Sequence, residues 1–329
     1  MTTAQIPFNV FCVVQRGRLE QEAILFTLSF RAANPDFAGR LLIAEPMQTG
    51  LWPQPPTITD PVRAILTDAG AEIIPFESKF FGQSYPHGNK IEAMAALPAA
   101  PFAFFDTDTL FTAPLSRIGF DFDRPSASMR RTATWPDPPL YGPGYGQIWK
   151  RLYDDFGLDF ASSLDLSKRD EYWERYLYFN AGWYFGKDAQ AFGARFLNYA
   201  LRIRQETPPE LACQSLNPWL DQVALPLVIH ALGGGRPGPE LAGLDGDVSC
   251  HYRWLPLLYA RESDAVVEML EQITADAQIR AVLQDHTAAR ALICEGRGRD
   301  LRTALARDGM PPHEDLLRMA IRKMGLWIR

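Results

Sequence analysis

The sequence predicts an α/β fold in which a mostly parallel sheet carries helices on both faces. Short apolar segments with β-branched residues alternate with segments of helical apolar spacing over the first hundred residues. This strand–helix–strand order is typical of parallel sheets covered on both sides. The chain of 329 residues is 47% hydrophobic and 22% charged. This composition is typical of globular proteins and disfavours disordered or fibrous ones.

The elements of the first half follow one another in strict alternation. The predicted strands are 8–14, 41–44, 72–76 and 102–105. The helices between them are 19–33, 60–69 and 90–97. Each helix has an end signal, which is Asn34-Pro35 for the first, Gly70 for the second and Pro98 for the third.

The pattern is looser after residue 114. A loop rich in Pro, Gly, Ser and Tyr is predicted at 125–145. Helices are predicted at 147–156, 189–204 and 220–231, strands at 176–185 and 248–254, and a mostly helical region from 266 onward. No linker is evident, so we expect one domain over 1–262, with halves 1–115 and 116–262, and a helical C-terminal extension over 263–329.

Charge, cysteine spacing and hydropathy exclude several classes of protein. The net charge of −6 argues against general nucleic-acid binding. The four cysteines are scattered without metal-like spacing, which predicts reduced thiols. The N-terminal residues lack the basic and apolar regions of a secretory signal, and the longest apolar runs are short for a membrane span. We therefore expect a cytoplasmic protein.

Two carboxylates follow the predicted strand 102–105 at alternate positions, Asp106 and Asp108. Ligands of parallel α/β sheets bind beyond the carboxyl ends of strands, where two carboxylates can hold a hard divalent cation. A pair that only caps the loop is the alternative. Because Asp-x-Asp arises readily by chance, context must select among the three copies in the chain. Of the other two, Asp121/Asp123 lies in an amphipathic stretch and Asp245/Asp247 lies in a turn.

Four further residues are candidates for the same site. Lys90 opens the helix before the Asp106 strand, where its ammonium would suit a diphosphate, or would simply be solvated. Asn180 lies in an aromatic run, and Gly182 permits close approach of a ligand. Asp221 can draw a proton from a hydroxyl, or can stabilise the N-terminus of its helix.

The motifs that contain these residues resemble those of the glycosyltransferases of the GT-A fold, and most closely those of the glycogenin and galactosyltransferase group called family 8. The resemblance extends roughly over 8–259 and is one of motif order. The motifs are Val13-Val14-Gln15-Arg16, Gly88-Asn89-Lys90, Phe105-Asp106-Thr107-Asp108-Thr109-Leu110-Phe111, Tyr178-Phe179-Asn180-Ala181-Gly182-Trp183 and Leu220-Asp221-Gln222.

The resemblance implies a metal-dependent transfer of a sugar from a nucleotide-diphosphate sugar, in particular a UDP-sugar. Asp106, Asp108 and His251 would bind Mn²⁺ or Mg²⁺, and the neutral imidazole favours Mn²⁺. Lys90 and Asp221 would be catalytic. The donor would contact Val13, Gln15, Lys90, Asp106, Asn180 and Gly182. The half 1–115 would bind the nucleotide and the half 116–262 the acceptor, which would be a carbohydrate, lipid or protein.

Other functions fit parts of the same pattern. A catalytically inactive GT-A protein that binds a nucleotide or carbohydrate would keep these residues. A nucleotidyltransferase is another alternative. A haloacid-dehalogenase-like phosphatase also has a strand ending in Asp-x-Asp, but Leu110 replaces the Thr or Val of its motif. The basic amphipathic helix around 316–324 is a candidate for peripheral contact with an anionic membrane.

Overall fold

The computed structural model describes residues 7–130 and 134–328. The strands are β1 Asn9–Val13, β2 Leu41–Pro46, β3 Glu72–Phe76, β4 Phe102–Phe105, β5 Thr109–Phe111, β6 Trp183–Gly186 and β7 Ser249–His251. The helices are α1 Arg18–Ala33, α2 Asp60–Asp68, α3 Asn89–Glu92, α4 Tyr145–Asp155, α5 Ala189–Gln205, α6 Leu220–Ala231, α7 Leu255–Arg261, α8 Asp264–Ile273, α9 Ala277–Leu283, α10 Thr287–Ala289, α11 Arg297–Asp308 and α12 Glu314–Lys323.

The main sheet has the strand order β3-β2-β1-β4-β6. Its first four strands are parallel, and β6 pairs antiparallel with β4. The order changes direction at β1, so the loops after β1 and β4 leave the same edge on either side of a crevice. Such a crevice at the carboxyl ends of strands is where ligands bind in open α/β sheets.

Both faces of the sheet are buried. On β1, Val10 and Cys12 face the core around α1, whereas Phe11 faces the core around α5 and α6. On β4, Phe105 and Phe104 divide between the two cores in the same way. Alternating residues of these central strands therefore pack on opposite faces, which explains why both faces of β1 and β4 carry apolar side chains. The predicted fold class is confirmed.

After β4 the chain continues into a second, two-stranded sheet. Strand β5 pairs antiparallel with β7, and Thr109 lies opposite His251. The backbone N–H of Tyr252 also donates a hydrogen bond to the carbonyl of Asp108, at 2.9 Å. This pairing places a histidine from late in the chain beside the carboxylates that follow β4.

The C-terminal helices pack on the α1 side of the main sheet. Leu292, Leu301 and Leu317 belong to the same buried cluster as Val10 and Ile24. Among the described residues, no helix combines the length and the apolar character needed to cross a bilayer.

The last helix, α12, uses part of its apolar face inside the protein. Of the predicted apolar face, Leu317 and Ile321 are buried, Ala320 and Met324 are partly buried against the core, and Leu316 is exposed. The predicted apolar face is therefore divided between the protein core and solvent. Membrane contact by this helix, and the boundary near residue 262, remain predictions.

Several predicted elements are shorter than expected. The predicted strand 176–185 is regular only over β6, because Ala181 has a φ of 57° and interrupts an extended segment. The predicted helix 90–97 consists of α3 followed by a 3₁₀ turn, and the predicted strand 248–254 is limited to β7. Residues 131–133, within the predicted loop 125–145, lie outside the described residues, as do 1–6 and 329.

We expect Phe111→Ala to lower the free energy of unfolding by about 3–5 kcal/mol. Phe111 is fully buried, and its ring packs against those of Phe26, Phe30 and Phe105 at centroid distances of 5.3, 5.2 and 5.0 Å. The measurement is chemical denaturation followed by tryptophan fluorescence.

The matched control is Tyr141→Ala, since Tyr141 is 98% exposed. This change should move the free energy of unfolding by less than about 0.5 kcal/mol. Equal effects of the two changes would contradict the assignment of Phe111 to the core.

Candidate active site

Two carboxylates and an imidazole converge at the carboxyl edge of the main sheet. Asp106 and Asp108 follow β4, and His251 ends β7. His251 Nε2 lies 3.1 Å from Asp108 Oδ1 and 3.9 Å from Asp106 Oδ2. One ligand atom from each residue lies within 4.8 Å of the others. Such a set of two oxygens and one nitrogen could hold a divalent cation.

The opposite charges in this triad shift the pKa values of Asp108 and His251 in opposite directions. Burial raises the pKa of Asp108, but His251 and Arg18 outweigh burial and hold that pKa below its ordinary value. Burial lowers the pKa of His251, and Asp108 outweighs it, so the net pKa of His251 is raised. The Asp108 carboxylate therefore favours the ionised form that ligates a metal, whereas the His251 imidazole, which ligates only when it is neutral, has to release its proton.

Lys90 is the cation at the centre of the site. Its Nζ lies 2.8 Å from Asp106 Oδ1 and 3.5 Å from Asp221 Oδ2, and it donates to the carbonyl of Ala181 at 3.3 Å. The side chain is 9% exposed. Burial lowers its pKa, yet Asp106 and Asp221 outweigh that effect and raise it. Lys90 is therefore a buried, charged group rather than the solvated lysine of the alternative reading.

Both carboxylate oxygens of Asp221 face polar partners. It is 1% exposed, and Tyr85 donates a hydrogen bond to its Oδ1 at 2.7 Å, while Oδ2 faces Lys90. The backbone N–H of Asp221 donates to the same tyrosine oxygen at 3.0 Å. Asp221 thereby fixes the position of the Lys90 ammonium, and its backbone N–H is satisfied by a side chain.

The segment before β6 contributes Asn180 and Gly182, whose contacts position the loop and His251. The Asn180 amide donates to the carbonyl of Arg130, and its Oδ1 accepts from the N–H of Gly182 at 2.7 Å. A Cβ on Gly182 would lie 2.3 Å from Nδ1 of His251. Glycine is therefore required at this position for the imidazole to reach Asp108.

Arg18, at the start of α1, is a further cation at the site. It pairs with Glu22, and its Nη1 lies 4.0 Å from Asp108 Oδ2. Glu22 is buried, accepts a hydrogen bond from Thr107 at 2.9 Å, and has a pKa raised well above its ordinary value by burial and by Asp108. Arg18 and Glu22 thus form a second set of titratable side chains beside the loop between β4 and β5.

Two contiguous clefts meet at this cluster. The first, of about 340 Å³, is lined among others by Val13, Gln15 and Asn89. Asn89 donates a hydrogen bond to Gln15 Oε1 at 2.9 Å. The second, of about 270 Å³, is lined among others by Asn180 and Asp221. Residues shared by both clefts are Arg18, His87, Lys90, Asp106 and Asp108.

The predicted site residues are thus brought together. Val13 and Gln15 lie in the first cleft, Asn180, Asp221 and His251 in the second, and Lys90, Asp106 and Asp108 between them. Gly182 touches His251 instead of lining either cleft. Of the other two Asp-x-Asp triplets, Asp121 and Asp123 are exposed, and Asp245 accepts hydrogen bonds from Ser128.

Sequence reasoning missed several residues of the site. Arg18 could have been found from its place directly after β1, at the crevice. Tyr85 and His87 carry no comparable signal, since they precede α3 in an irregular segment. Arg318 lies on α12, far along the chain, and lines the second cleft. Nothing local in the sequence marks it.

Comparison with known proteins gives one family and several distant structural neighbours. A sequence model described as the Rhodobacterales glycosyltransferase domain matches residues 10–233. No curated protein sequence matches the chain.

Among solved structures, the galactosyltransferase LgtC in complex with donor and acceptor sugar analogues is 12% identical, with a TM-score of 0.47 over 82% of this chain and 96% of that one. The bifunctional glycosyltransferase WbbM is 10% identical, with a TM-score of 0.45 over 85% and 53%. GlyE of Streptococcus pneumoniae TIGR4 is 10% identical, with a TM-score of 0.36 over 70% and 46%.

We expect Lys90→Met to lower the free energy of unfolding by about 3–5 kcal/mol, because it leaves the buried carboxylate of Asp221 without its counter-charge. The double variant Lys90→Met/Asp221→Asn removes both charges and should recover part of that loss. Chemical denaturation of both variants at neutral pH measures the difference. A double variant less stable than the single one would contradict the ion pair described here.

Proposed function

Since the chain belongs to the Rhodobacterales glycosyltransferase domain family, we propose that it transfers a sugar from a nucleotide-diphosphate sugar to an acceptor hydroxyl in a metal-dependent reaction. The observation that carries the proposal is the Asp106, Asp108 and His251 triad at the junction of two clefts. One cleft would bind the donor and the other the acceptor, so the sugar would be transferred next to the triad.

The residues present fit a divalent cation. One ligand atom from each residue of the triad lies within 4.8 Å of the others, and two carboxylate oxygens with one imidazole nitrogen are chemically suited to such a cation. His251 directs Nε2 toward both carboxylates, and Gly182 leaves room for the ring to do so. The mixed oxygen and nitrogen set favours Mn²⁺ over Mg²⁺. When bound, the cation would neutralise the charge that develops on the departing diphosphate.

The protein's own residues supply the rest of the electrostatics. Lys90 is fixed between Asp106 and Asp221, so its positive charge requires no rearrangement when negative charge develops on the leaving group. Fixed charges of this kind account for much of the stabilisation in many enzymes. Phe104, whose ring centroid lies 5.0 Å from Lys90 Nζ, limits the access of water to the ammonium.

The remaining site residues are assigned by their clefts. Val13 and Gln15 would border the nucleotide in the first cleft. Asn180 would orient the sugar through the loop that its amide holds, since both ends of that amide are hydrogen-bonded. Asp221 would act first by positioning Lys90. A direct role toward an acceptor hydroxyl would require its carboxylate to leave Tyr85 or Lys90.

The finer assignments remain proposals. A UDP-sugar as donor, a hexosyl group as cargo, and membership of family 8 follow only from the motif resemblance. The cytoplasmic location expected from the cysteines, and a carbohydrate, lipid or protein acceptor, likewise remain predictions.

We expect Asp106→Asn and Asp108→Asn to reduce metal-dependent turnover by about 10²–10³-fold, since each removes a charged ligand from the site. Donor binding is measured first, by thermal shift with UDP, GDP, CDP, dTDP and their sugars, with and without Mn²⁺. A ligand at 100 times its Kd stabilises a protein by about 2.7 kcal/mol. Turnover is then measured with the donor that binds.

The matched control is Asp121→Asn/Asp123→Asn, which alters the same triplet at an exposed position. It should leave both binding and turnover unchanged. Full activity in both site variants would refute the proposal. Metal-dependent nucleotide binding with no turnover on any donor would favour a binding protein, and phosphate release from simple phosphomonoesters would favour a phosphatase.

Gly182→Ala should weaken Mn²⁺ binding by about 10–100-fold, the range seen when residues that orient metal ligands are changed. The added methyl group would displace the His251 ring, whose Nδ1 lies 2.3 Å from the Cβ position. The control is Gly235→Ala, where a Cβ meets nothing within 4 Å. Titration of Mn²⁺ followed by electron paramagnetic resonance measures both. Unchanged affinity in Gly182→Ala would exclude His251 as a ligand.

A further inference from the structure

The second cleft has lining residues that the proposed transfer does not use. Its carboxylates are Asp106, Asp108 and Asp221. The same cleft is also lined by two tryptophans, a glutamine and two arginines, which are Trp219, Trp254, Gln222, Arg253 and Arg318. This inference rests on the proposed function, which makes the second cleft the acceptor site.

The two arginines belong to a cluster with excess positive charge. Glu314 pairs with Arg253 at 3.6 Å and also with Arg261 and Arg318. Glu262 pairs with Arg261 at 3.1 Å and with Arg130 at 3.4 Å. Among the ion pairs of the described residues, these four arginines share two carboxylates, so arginines outnumber carboxylates by two in this cluster.

The arginine on α12 is held in position before any ligand arrives. Arg318 pairs with Glu314, and its guanidinium lies 5.5 Å from the ring centroid of Trp327. Trp327 packs against Trp254, whose ring lies under Arg18 at 4.6 Å. Cation–π and aromatic contacts thus connect the C-terminal helix, through Arg18, to Asp108 of the triad. A guanidinium fixed in this way loses little conformational entropy on binding an anion.

The donor's diphosphate is assigned to the metal triad and Lys90, at the junction of the two clefts. The first cleft, assigned to the donor, is lined among others by Val13, Gln15 and Asn89. Within the described residues, Arg253 and Arg318 line the second cleft and are not among those that line the first. Both arginines thus lie in the cleft assigned to the acceptor, and we assign an anion bound between them to that substrate.

We propose that the acceptor is an anionic sugar, carrying a carboxylate or a phosphate, and that Arg253 and Arg318 bind this group while Trp219 and Trp254 contact the ring. The C-terminal helix α12 then forms part of the acceptor site. Arginine suits both anions because its planar donors match their oxygens in pairs.

The test is calorimetric binding of matched sugars to the full chain saturated with UDP and Mn²⁺. The probes are glucose, glucuronate and glucose 6-phosphate, together with galactose, galacturonate and galactose 6-phosphate. In at least one series we expect an anionic sugar to bind about tenfold or more tightly than its neutral parent, as a charge-assisted hydrogen bond would give. Arg318→Gln should remove that preference, whereas Arg318→Lys should retain part of it.

The matched control is Arg322→Gln. Arg322 also lies over Trp327, at 5.4 Å, but is exposed and outside the lining of the second cleft. It should keep the preference for the anionic sugar. The melting temperature of each variant shows whether the fold is intact.

The outcomes separate this inference from the proposed function. A gain for uronates alone identifies a carboxylate, a gain for sugar phosphates alone identifies a phosphate, and either supports the proposal. Absence of any anionic preference while UDP and Mn²⁺ bind would overturn the proposal alone. An equal loss in the Arg318→Gln and Arg322→Gln variants would also overturn it. Failure of UDP and every other nucleotide to bind would overturn the proposed function itself.

Discussion

A buried ammonium between two carboxylates holds this site together. Lys90 joins Asp106, at the end of β4, to Asp221 on α6. Burying the charges of Lys90 and Asp221 is unfavourable unless each meets an opposite charge or a hydrogen bond. Tyr85 and the carbonyl of Ala181 supply the remaining hydrogen bonds. The relative positions of the sheet edge, α3 and α6 are thus constrained by the ion pairs of one side chain.

The metal triad depends on that arrangement. With one oxygen of Asp106 engaged by Lys90, its other oxygen faces His251 and Asp108. The small sheet of β5 and β7 then sets the distance of the imidazole, and Gly182 leaves the space that the ring occupies. The site is therefore built by backbone pairing and one missing Cβ as much as by its charged groups. Such fixed geometry is what electrostatic catalysis requires.

The C-terminal helices extend the same electrostatics to the second cleft. Helix α12 brings Arg318 to this cleft, which Arg253 and Trp254 also line. Its apolar residues Leu317 and Ile321 pack into the core, so the helix is held in place by burial. A segment that the sequence describes only as a basic amphipathic helix thereby acquires a place beside the active site.

The sequence alone determined the alternating α/β order, the Asp106 and Asp108 pair at a strand end, and the candidates Lys90, Asn180, Asp221 and His251. These could be predicted because periodicity, strand ends and motif spacing are local properties of the chain. Only the tertiary structure decided that Lys90 lies between Asp106 and Asp221 and that Gly182 leaves room for the His251 ring. It also decided that Arg18, Tyr85 and Arg318 belong to the site. These relations depend on strand order, on helix packing and on how buried charges find partners across the chain. Local sequence encodes none of them, because the residues involved meet only when the core has formed.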